Sequence, residues 1–507
     1  MKAPCLGACA IISSRLSLGP VVLDLSPTME ASAGNGRMVE DGVVFFSDGQ
    51  GLENRTRLHR VTRHLAVIEL LNPTTVLQVS EVLREFRIIL RDRTAYSGRA
   101  TVKNLLHTGL TTLCEATLED AWVDLDHAAA ACEASRVRAE FDRFMREWHK
   151  CYRILPEYKI IVADMQTLLT DLRRWLDELE LGLRALPSSN RLQVEQDVLQ
   201  AVGEPAVPAI NGLFERFERV AGRLEDDELP SHHAYMKRHL HPLMLASPFA
   251  SRTFHKPLGY AGDYEMVNMM TRNPYEGSTA FAKIVNLWFL RQPPAEAHRN
   301  RLVHLEGKLV AETARVAASG RPARIFNLGC GPAVEIQRFL AHKGYSERAS
   351  FVLADFNEEA LRHTQTVLEQ AAAQNGRNLS AQYVRKSVQQ ILKEAGRSIE
   401  RPVEQCYDLV YCAGLFDYLS DAVCRRVLGV LYDWLAPGGL LLTTNVAPVN
   451  PLRNGMEHLL DWHLIYRNAR QLSELRPPLA PAAEATVRSD VTGVNLFLEV
   501  RKPGHAQ

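Results

Sequence analysis

The chain is 507 residues long, enough for two to four domains, and its 59 Lys and Arg are matched by 59 Asp and Glu. A net charge of zero argues against a nucleic-acid partner, which a basic surplus or patch would favour. No apolar run reaches membrane-spanning length. The nine cysteines lack metal-ligand spacing, so reduced, packed thiols in a cytoplasmic protein are expected, with no metal.

Residues 1–37 form the first segment, of which the first 28 are mixed apolar and Ser/Pro-rich, with Lys2 and Arg15 but no cleavage signal. They predict a disordered extension, with Met29 or Met38 as alternative starts. Residues 38–126 read as β-rich. Val43–Phe46, Leu65–Leu70 and Phe86–Leu90 are short apolar or alternating runs between turn signals. The densest basic cluster, Arg55-Thr56-Arg57-Leu58-His59-Arg60, reads as a solvated face.

The stretch Ser97-Gly98-Arg99-Ala100-Thr101-Val102-Lys103-Asn104-Leu105-Leu106-His107-Thr108-Gly109-Leu110 resembles the strand–turn–strand of PilZ domains. Those are small β-barrels, many of which bind cyclic di-GMP through an Arg-x-x-x-Arg arm and an Asp/Asn-x-Ser-x-x-Gly turn. Here the turn would be Asn104 to Gly109, with Leu106 in the Ser position. The nearest arm, Arg60 and Arg63, is one residue too short for bidentate reading of a phosphate or guanine. A PilZ-like barrel that does not bind cyclic di-GMP is expected.

Residues 127–187 predict a helical linker or bundle. Phe141, Phe144, Met145 and Trp148 recur at three- and four-residue spacing, as do Leu168, Leu172, Trp175, Leu176 and Leu179. Such stripes form bundle seams or a homodimer face. Pro187-Ser188-Ser189-Asn190 marks a break. Residues 188–310 predict a helical cap that contributes to a substrate site. Within it, His255-Lys256-Pro257-Leu258-Gly259-Tyr260-Ala261-Gly262-Asp263-Tyr264-Glu265-Met266 combines two glycines, two tyrosines and two acids. Glycine permits bends closed to other residues, so Gly259, Tyr260 and Asp263 are candidate substrate contacts. The alternative is a structural connection with Tyr260 in the core.

Residues 311–507 carry the densest information. An apolar strand, Arg324–Leu328, runs into the turn Gly329-Cys330-Gly331, which opens a helix. A second strand, Phe351–Ala354, ends in Asp355. This is the pattern of a nucleoside site at the carboxyl ends of parallel strands. A dinucleotide fingerprint needs a third Gly, but Val334 stands there. S-adenosylmethionine has no phosphate and does not need it. Pro332 suits the first helical turn, and Asp355 can accept from both ribose hydroxyls.

Three further motifs follow: the strand Tyr407–Cys412 with Ala413-Gly414-Leu415-Phe416-Asp417-Tyr418-Leu419 after it, then Trp434-Leu435-Ala436-Pro437-Gly438-Gly439, then the strand Leu440–Thr444. Together they resemble the class I S-adenosylmethionine-dependent methyltransferases. The resemblance implies an α/β fold: a Rossmann-like, seven-stranded, mostly parallel sheet, here preceded by the helical region and the small barrel. It implies cofactor contacts at Asn327, Gly329, Gly331, Pro332, Glu335, Asp355, Phe356, Asn357, Ser387, Gly414, Leu415, Asp417 and Tyr418. Asn327 departs from the family's acid, and Glu335 is a candidate substitute charge at the helix start. Ala413-Gly414-Leu415-Phe416 lacks the Asn/Asp-Pro-Pro-aromatic string of nucleic-acid amine methylation.

The loop around Tyr260, the turn at Asn327–Glu335 and Gly455-Met456-Glu457-His458-Leu459-Leu460-Asp461-Trp462-His463-Leu464-Ile465-Tyr466-Arg467 together carry a closer resemblance. It is to bacterial methyltransferases that make 3-hydroxypalmitic acid methyl ester, an extracellular quorum-sensing signal. It implies a small-molecule acyl substrate. Candidates for holding its carboxylate are Tyr260, His463, Tyr466 and Arg467, with Trp462 as a pocket wall. His463 and Arg467 would share a helix face. Alternatively His463 is a core histidine, and Arg467 pairs with Asp461 or Glu457. Methylation of another small molecule or of a protein, or a non-catalytic PilZ-type adaptor, are the competing functions.

Overall fold

Alternating apolar and polar side chains build the N-terminal unit. The computed structural model describes residues 37–38, 42–49, 51–62, 64–70, 77–90, 93–107, 111–119, 137–139, 141–142, 145–146, 153–185, 187–342, 344–395, 406–481 and 484–504. Strands β2 (Gly42–Ser47), β3 (Glu53–Val61), β4 (Leu65–Leu70), β5 (Val82–Leu90), β6 (Arg93–His107) and β7 (Thr112–Leu118) pair in the order β3-β2-β5-β6-β7-β4. Pairing of β3 with β4 closes the ring, which leaves no free sheet edge in it. A short β1 (Arg37–Met38) adds to β3. Val44, Phe46, Leu58, Ile68, Phe86, Ile88, Cys114 and Ala116 fill the interior. Arg55 and Arg57 lie on the exposed face of β3, alternating with buried Thr56 and Leu58. That accounts for the basic cluster as a solvated face.

The expected turn at Asn104–Gly109 is corrected in part. Asn104 to His107 continue β6, with Asn104 opposite Glu115 and His107 opposite Thr112. Residues 108–110 and Arg63 lie outside the described residues, as do Phe144 and Trp148.

Helix α1 (Pro156–Arg184) starts on a proline, whose missing N–H is harmless at the first helical position. Tyr158, Ile161, Val162, Met165, Leu169 and Leu176 form its buried stripe. The expected seam was rotated from this: Leu168, Leu172 and Leu179 are only partly buried, and Trp175 is exposed. Helices α2 (Ser188–Ala221), α3 (Leu229–Met244), α4 (Pro248–His255), α5 (Tyr264–Thr271) and α6 (Ala280–Leu290) pack around the same core, and α7 (Pro293–Ala317) leads into the second sheet.

That sheet runs β10-β9-β8-β11-β12-β14-β13, from β8 (Ala323–Leu328), β9 (Ala349–Asp355), β10 (Ser380–Arg385), β11 (Tyr407–Cys412), β12 (Leu435–Val446), β13 (Ala485–Ser489) and β14 (Asn495–Arg501). The first five strands are parallel; β14 is antiparallel to β12 and β13. The chain moves outward from β8 to β10 and then returns to place β11 on the other side of β8. Such a switch point opens a crevice at the carboxyl ends of β8 and β11.

The barrel is fastened to this crevice by backbone hydrogen bonds. Val79 N donates to Tyr418 O at 3.1 Å, and Val82 N donates to Gly259 O at 2.8 Å. Ser80 Oγ donates to His463 O at 2.9 Å and accepts from His463 N at 2.6 Å. The guanidinium groups of Arg84 and Arg99 cap the carbonyls of Pro257 and His255. Glu81, buried beneath this segment, accepts from Gly49 N and Gln78 N.

Burial pushes the Glu81 carboxyl up to about 7, against the pull of those two N–H donors. The native barrel therefore retains a proton that the unfolded chain releases above about pH 4.5, and this contribution to stability falls as pH rises towards 7. Relative to Glu81→Gln, wild type should lose on the order of 3 kcal/mol of stability from pH 5 to pH 8. Denaturant midpoints at both pH values check this; a gap that stays constant contradicts it.

Candidate functional site

The turn after β8 is held open by backbone geometry. Gly329 and Gly331 have φ of 69° and 49°, a region that favours glycine. Gly329 N and Cys330 N both donate to Ala354 O at the end of β9. Asp355 follows. Its carboxylate accepts from Gly331 N at 3.2 Å and Asn357 N at 3.0 Å, so its orientation is set by main chain. Burial raises its pKa, and these N–H donors oppose the rise. Helix α8 (Val334–Phe339) begins after Ala333, itself at φ 49°. Pro332 therefore lies in the turn, not in the first helical turn as expected. Val334 lines the crevice where a third glycine would be needed.

Asn327, one residue before the end of β8, is enclosed, its amide 3.4 Å from Glu335 Oε1. The same oxygen accepts from Tyr411 Oη at 2.7 Å. Glu335 thus stands beside Asn327 in the crevice wall, its carboxyl raised by burial. Opposite charge comes from a residue outside the recognised motifs. Arg301, on α7, lies where a Cβ on Gly414 would be, its Nη1 2.8 Å from that point. Gly414 (φ 86°) leaves room for it. No local pattern marks Arg301, because α7 precedes the motif and reads as an ordinary helix.

Arg301 Nη2 donates to His298 Nδ1 at 2.7 Å. A guanidinium only donates, so Nδ1 is the acceptor and the proton of neutral His298 sits on Nε2. Burial, then Arg301 and Arg299, holds the imidazole well below its usual pKa and so neutral. Among the described residues its Nε2 has no partner, and neither do the two amide atoms of buried Asn495, which lines the same crevice. Buried donors without partners are costly unless a ligand meets them.

The crevice encloses about 1860 Å³ of space between atoms, the open solvent at its mouth included. Beyond the Gly329 turn it continues between Phe249, Met266, Met270, Phe289, Met456, Leu460, Trp462 and Leu464. Tyr260 stands between the two parts, its ring 5.0 Å from that of Phe356. Burial, then Asp355 and Asp263, keeps the Tyr260 hydroxyl protonated well above the ordinary range.

The expected residues divide sharply. Asn327, Gly329, Gly331, Pro332, Glu335, Asp355, Phe356, Ser387, Gly414, Leu415, Asp417 and Tyr418 line the crevice together with Tyr260 and Trp462. Asn357 does not; its side chain caps helix α9 (Glu358–Gln374) by accepting from Ala360 N. Asp263 caps α5 and pairs with Arg252 at 2.9 Å. The Gly259 carbonyl is taken by Val82 of the barrel. Asp417 lines the wall, yet its carboxylate accepts from Val446 N at 2.6 Å.

The expected helix across Gly455–Arg467 stops early. Helix α10 (Arg453–Leu460) ends at Asp461, whose φ of 47° turns the chain, and residues 461–468 carry no helix. His463 and Arg467 consequently share no helix face. His463 is enclosed between Ser80, the His233 ring and Glu457, with burial pushing its pKa down to about 4. Tyr466 stands behind Asn450, whose amide donates to its hydroxyl at 3.3 Å, and Arg453 covers its ring. Arg467 is 2 % exposed and spends its donors on Asp421, Asn445 Oδ1 and the carbonyls of Phe416 and Leu419. None of the three lines the crevice.

Residues 326–441 match the model of the methyltransferase domain family. This segment is a methyltransferase domain. Solved structures that resemble the chain include a possible exported protein from Bordetella parapertussis, at 18% identity over 63% of this chain and 100% of that one, TM-score 0.36. The N-methyltransferase NodS from Bradyrhizobium japonicum WM9 in complex with S-adenosyl-L-homocysteine shares 15% identity over 47% of this chain and 98% of its own, TM-score 0.28. An O-methyltransferase family protein from Burkholderia thailandensis shares 13% over 56% and 75%, TM-score 0.29. Scores this low carry no argument about the site. No curated protein matches the chain. Among the described residues of the methyltransferase and its flanking units, no helix is long and apolar enough to cross a membrane, and no three His, Cys, Asp or Glu are grouped to hold a metal ion.

The Arg467 geometry makes a direct prediction. Arg467→Met orphans two buried carbonyls and the Asn445 oxygen, which should cost on the order of 3 kcal/mol of stability. Urea unfolding measures it; a variant as stable as wild type would show that the guanidinium does not hold this loop.

Proposed function

We propose that this methyltransferase uses S-adenosylmethionine to esterify the carboxylate of a 3-hydroxy fatty acid, giving a methyl ester that serves as a quorum-sensing signal. The observation that carries the reading is the continuity of the Gly329 crevice with an apolar pouch, lined also by His298 and Asn495, whose buried polar atoms have no partner among the described residues.

The residues present fit the cofactor. Asp355 is oriented to accept from ribose hydroxyls. Glu335 and Arg301 offer opposite charges for an ammonium and a carboxylate, which fits an amino-acid end and supplies the charge Asn327 lacks. Val334 stands where the dinucleotide fingerprint has its third glycine, so the turn departs from that fingerprint. When bound, the cofactor supplies an electrophilic methyl on a sulfonium.

The remaining work belongs to the chain. A fatty carboxylate is already ionised at pH 7 and needs no general base. It needs donors and a fixed approach, since alignment within a near-attack geometry supplies much of the acceleration. The Tyr260 hydroxyl, the His298 Nε2–H and the Asn495 amide can all donate, and all lie in the crevice wall. The phenylalanine, methionine and leucine walls bury an acyl chain and exclude water from the reacting atoms. A pouch so apolar suits a lipid tail better than a peptide or nucleobase.

Full-length protein incubated with 3-hydroxypalmitate and methyl-labelled S-adenosylmethionine should yield a labelled ester, detected by extraction and mass spectrometry. Absence of product across a series of acyl chains and thioesters would remove the reading. Asp355→Ala should weaken cofactor binding about tenfold or more in calorimetry, because a hydrogen bond to a charged group contributes roughly 1.5–3 kcal/mol. Unchanged affinity would mean that the ribose lies elsewhere.

A further inference from the structure

The barrel does more than touch the methyltransferase. Its segment from Leu77 to Leu83 reaches the crevice, and Gln78 lines it alongside Tyr260, Tyr418 and Trp462. The Gln78 backbone is fixed from both sides. Its N–H donates to Glu81 at 2.7 Å, and the next residue, Val79, donates to Tyr418 O. Leu77, Val79 and Ser80 are buried, while Gln78 is not fully so. Among the described residues its side-chain amide has no hydrogen-bond partner.

Two strained residues meet just behind it. Ser80 has φ 64° and Asp461 has φ 47°, conformations that non-glycine residues adopt only when their surroundings enforce them. The Ser80 hydroxyl exchanges two hydrogen bonds with His463, next to the pocket-lining Trp462. Asp461 is held in turn by Lys237 at 2.9 Å and by Lys256 on its carbonyl. The strain is thus shared across the barrel–methyltransferase boundary, on both sides of the pouch wall. A merely tethered domain would not need it.

We propose that the barrel is a fixed wall of the acceptor site and that Gln78 is a specificity-determining residue that hydrogen-bonds the polar end of the acceptor. The proposal rests on the fatty-acid reading of the pouch. Gln78 presents two donors and one acceptor on a short arm. Ser80 and Glu81 are positioning residues, which set where that amide points.

Steady-state kinetics of the full chain with 3-hydroxypalmitate test this, with cofactor affinity measured separately by calorimetry. Gln78→Ala should raise the acceptor KM about fivefold, the value of one ordinary hydrogen bond. Gln78→Glu should raise it further, because a carboxylate then faces the acceptor's own. Both variants should bind S-adenosylmethionine as wild type does. Acceptor KM values within twofold of wild type for both variants overturn the proposal, and so does a parallel loss of cofactor affinity, which would mark a purely structural role. If wild-type protein esterifies no fatty acid, the fatty-acid reading falls and takes this assignment with it. Wild-type turnover with indifferent Gln78 variants overturns the assignment alone.

Discussion

One buried guanidinium organises the acceptor side of this molecule. Arg467 binds the carbonyls of Phe416 and Leu419 and the side chains of Asn445 and Asp421, so it fixes the loop after β11 to the end of β12. That loop carries Asp417 and Tyr418. Asp417 meets Val446 and Ile465, Tyr418 receives the Trp462 indole N–H, and the Tyr418 carbonyl receives the barrel. A charge placed this deep is tolerable only when every donor is met. The crevice wall, the Trp462 segment and the barrel all inherit their positions from that requirement.

The cofactor side follows a different logic. There the main chain does most of the holding: glycines at positive φ, strand ends, and N–H groups aimed at Asp355. The charges that remain are buried Glu335 and half-buried Arg301, and each favours the other's charged form. The substitution of Asn327 for an acid is intelligible in that setting. An additional carboxylate beside Glu335 would place two like charges at 3–4 Å in a dry site, where one of them would stay protonated.

The parallel sheet was legible because its signals are local. Strand, turn and acid lie within about thirty residues, and each element carries its own glycine or carboxylate. The barrel strands were legible from alternation. The carboxylate-holding residues were not. Spacing of four between His463 and Arg467 suggested a helix, but Asp461 ends it, and a left-handed aspartate has no sequence marker comparable to glycine. Arg467 looked reactive because arginine in a crevice loop often is; its role depends on two carbonyls some fifty residues away. Arg301, His298 and Asn495 were missed for the same reason. They sit on a helix and a strand that read as ordinary, and only the fold brings them to the crevice. Gln78 was invisible because nothing in its neighbourhood suggests that a barrel residue enters a pocket made by the other end of the chain.

The Ser80–His463 contact joins residues 383 positions apart. Barrel and crevice are therefore made at opposite ends of synthesis. A nascent chain can close its barrel early, since all six strands lie within its first 118 residues, but the acceptor wall stays incomplete until the last strands emerge. Long-range closure of this kind is slow. The same separation limits how the gene can be rearranged. A domain that can be cut away or exchanged has few obligations to its neighbour, whereas this barrel has backbone bonds to three segments of the enzyme. Its surface can diverge freely, but the loop from Leu77 to Leu83 must change in step with Gly259, Tyr418 and His463.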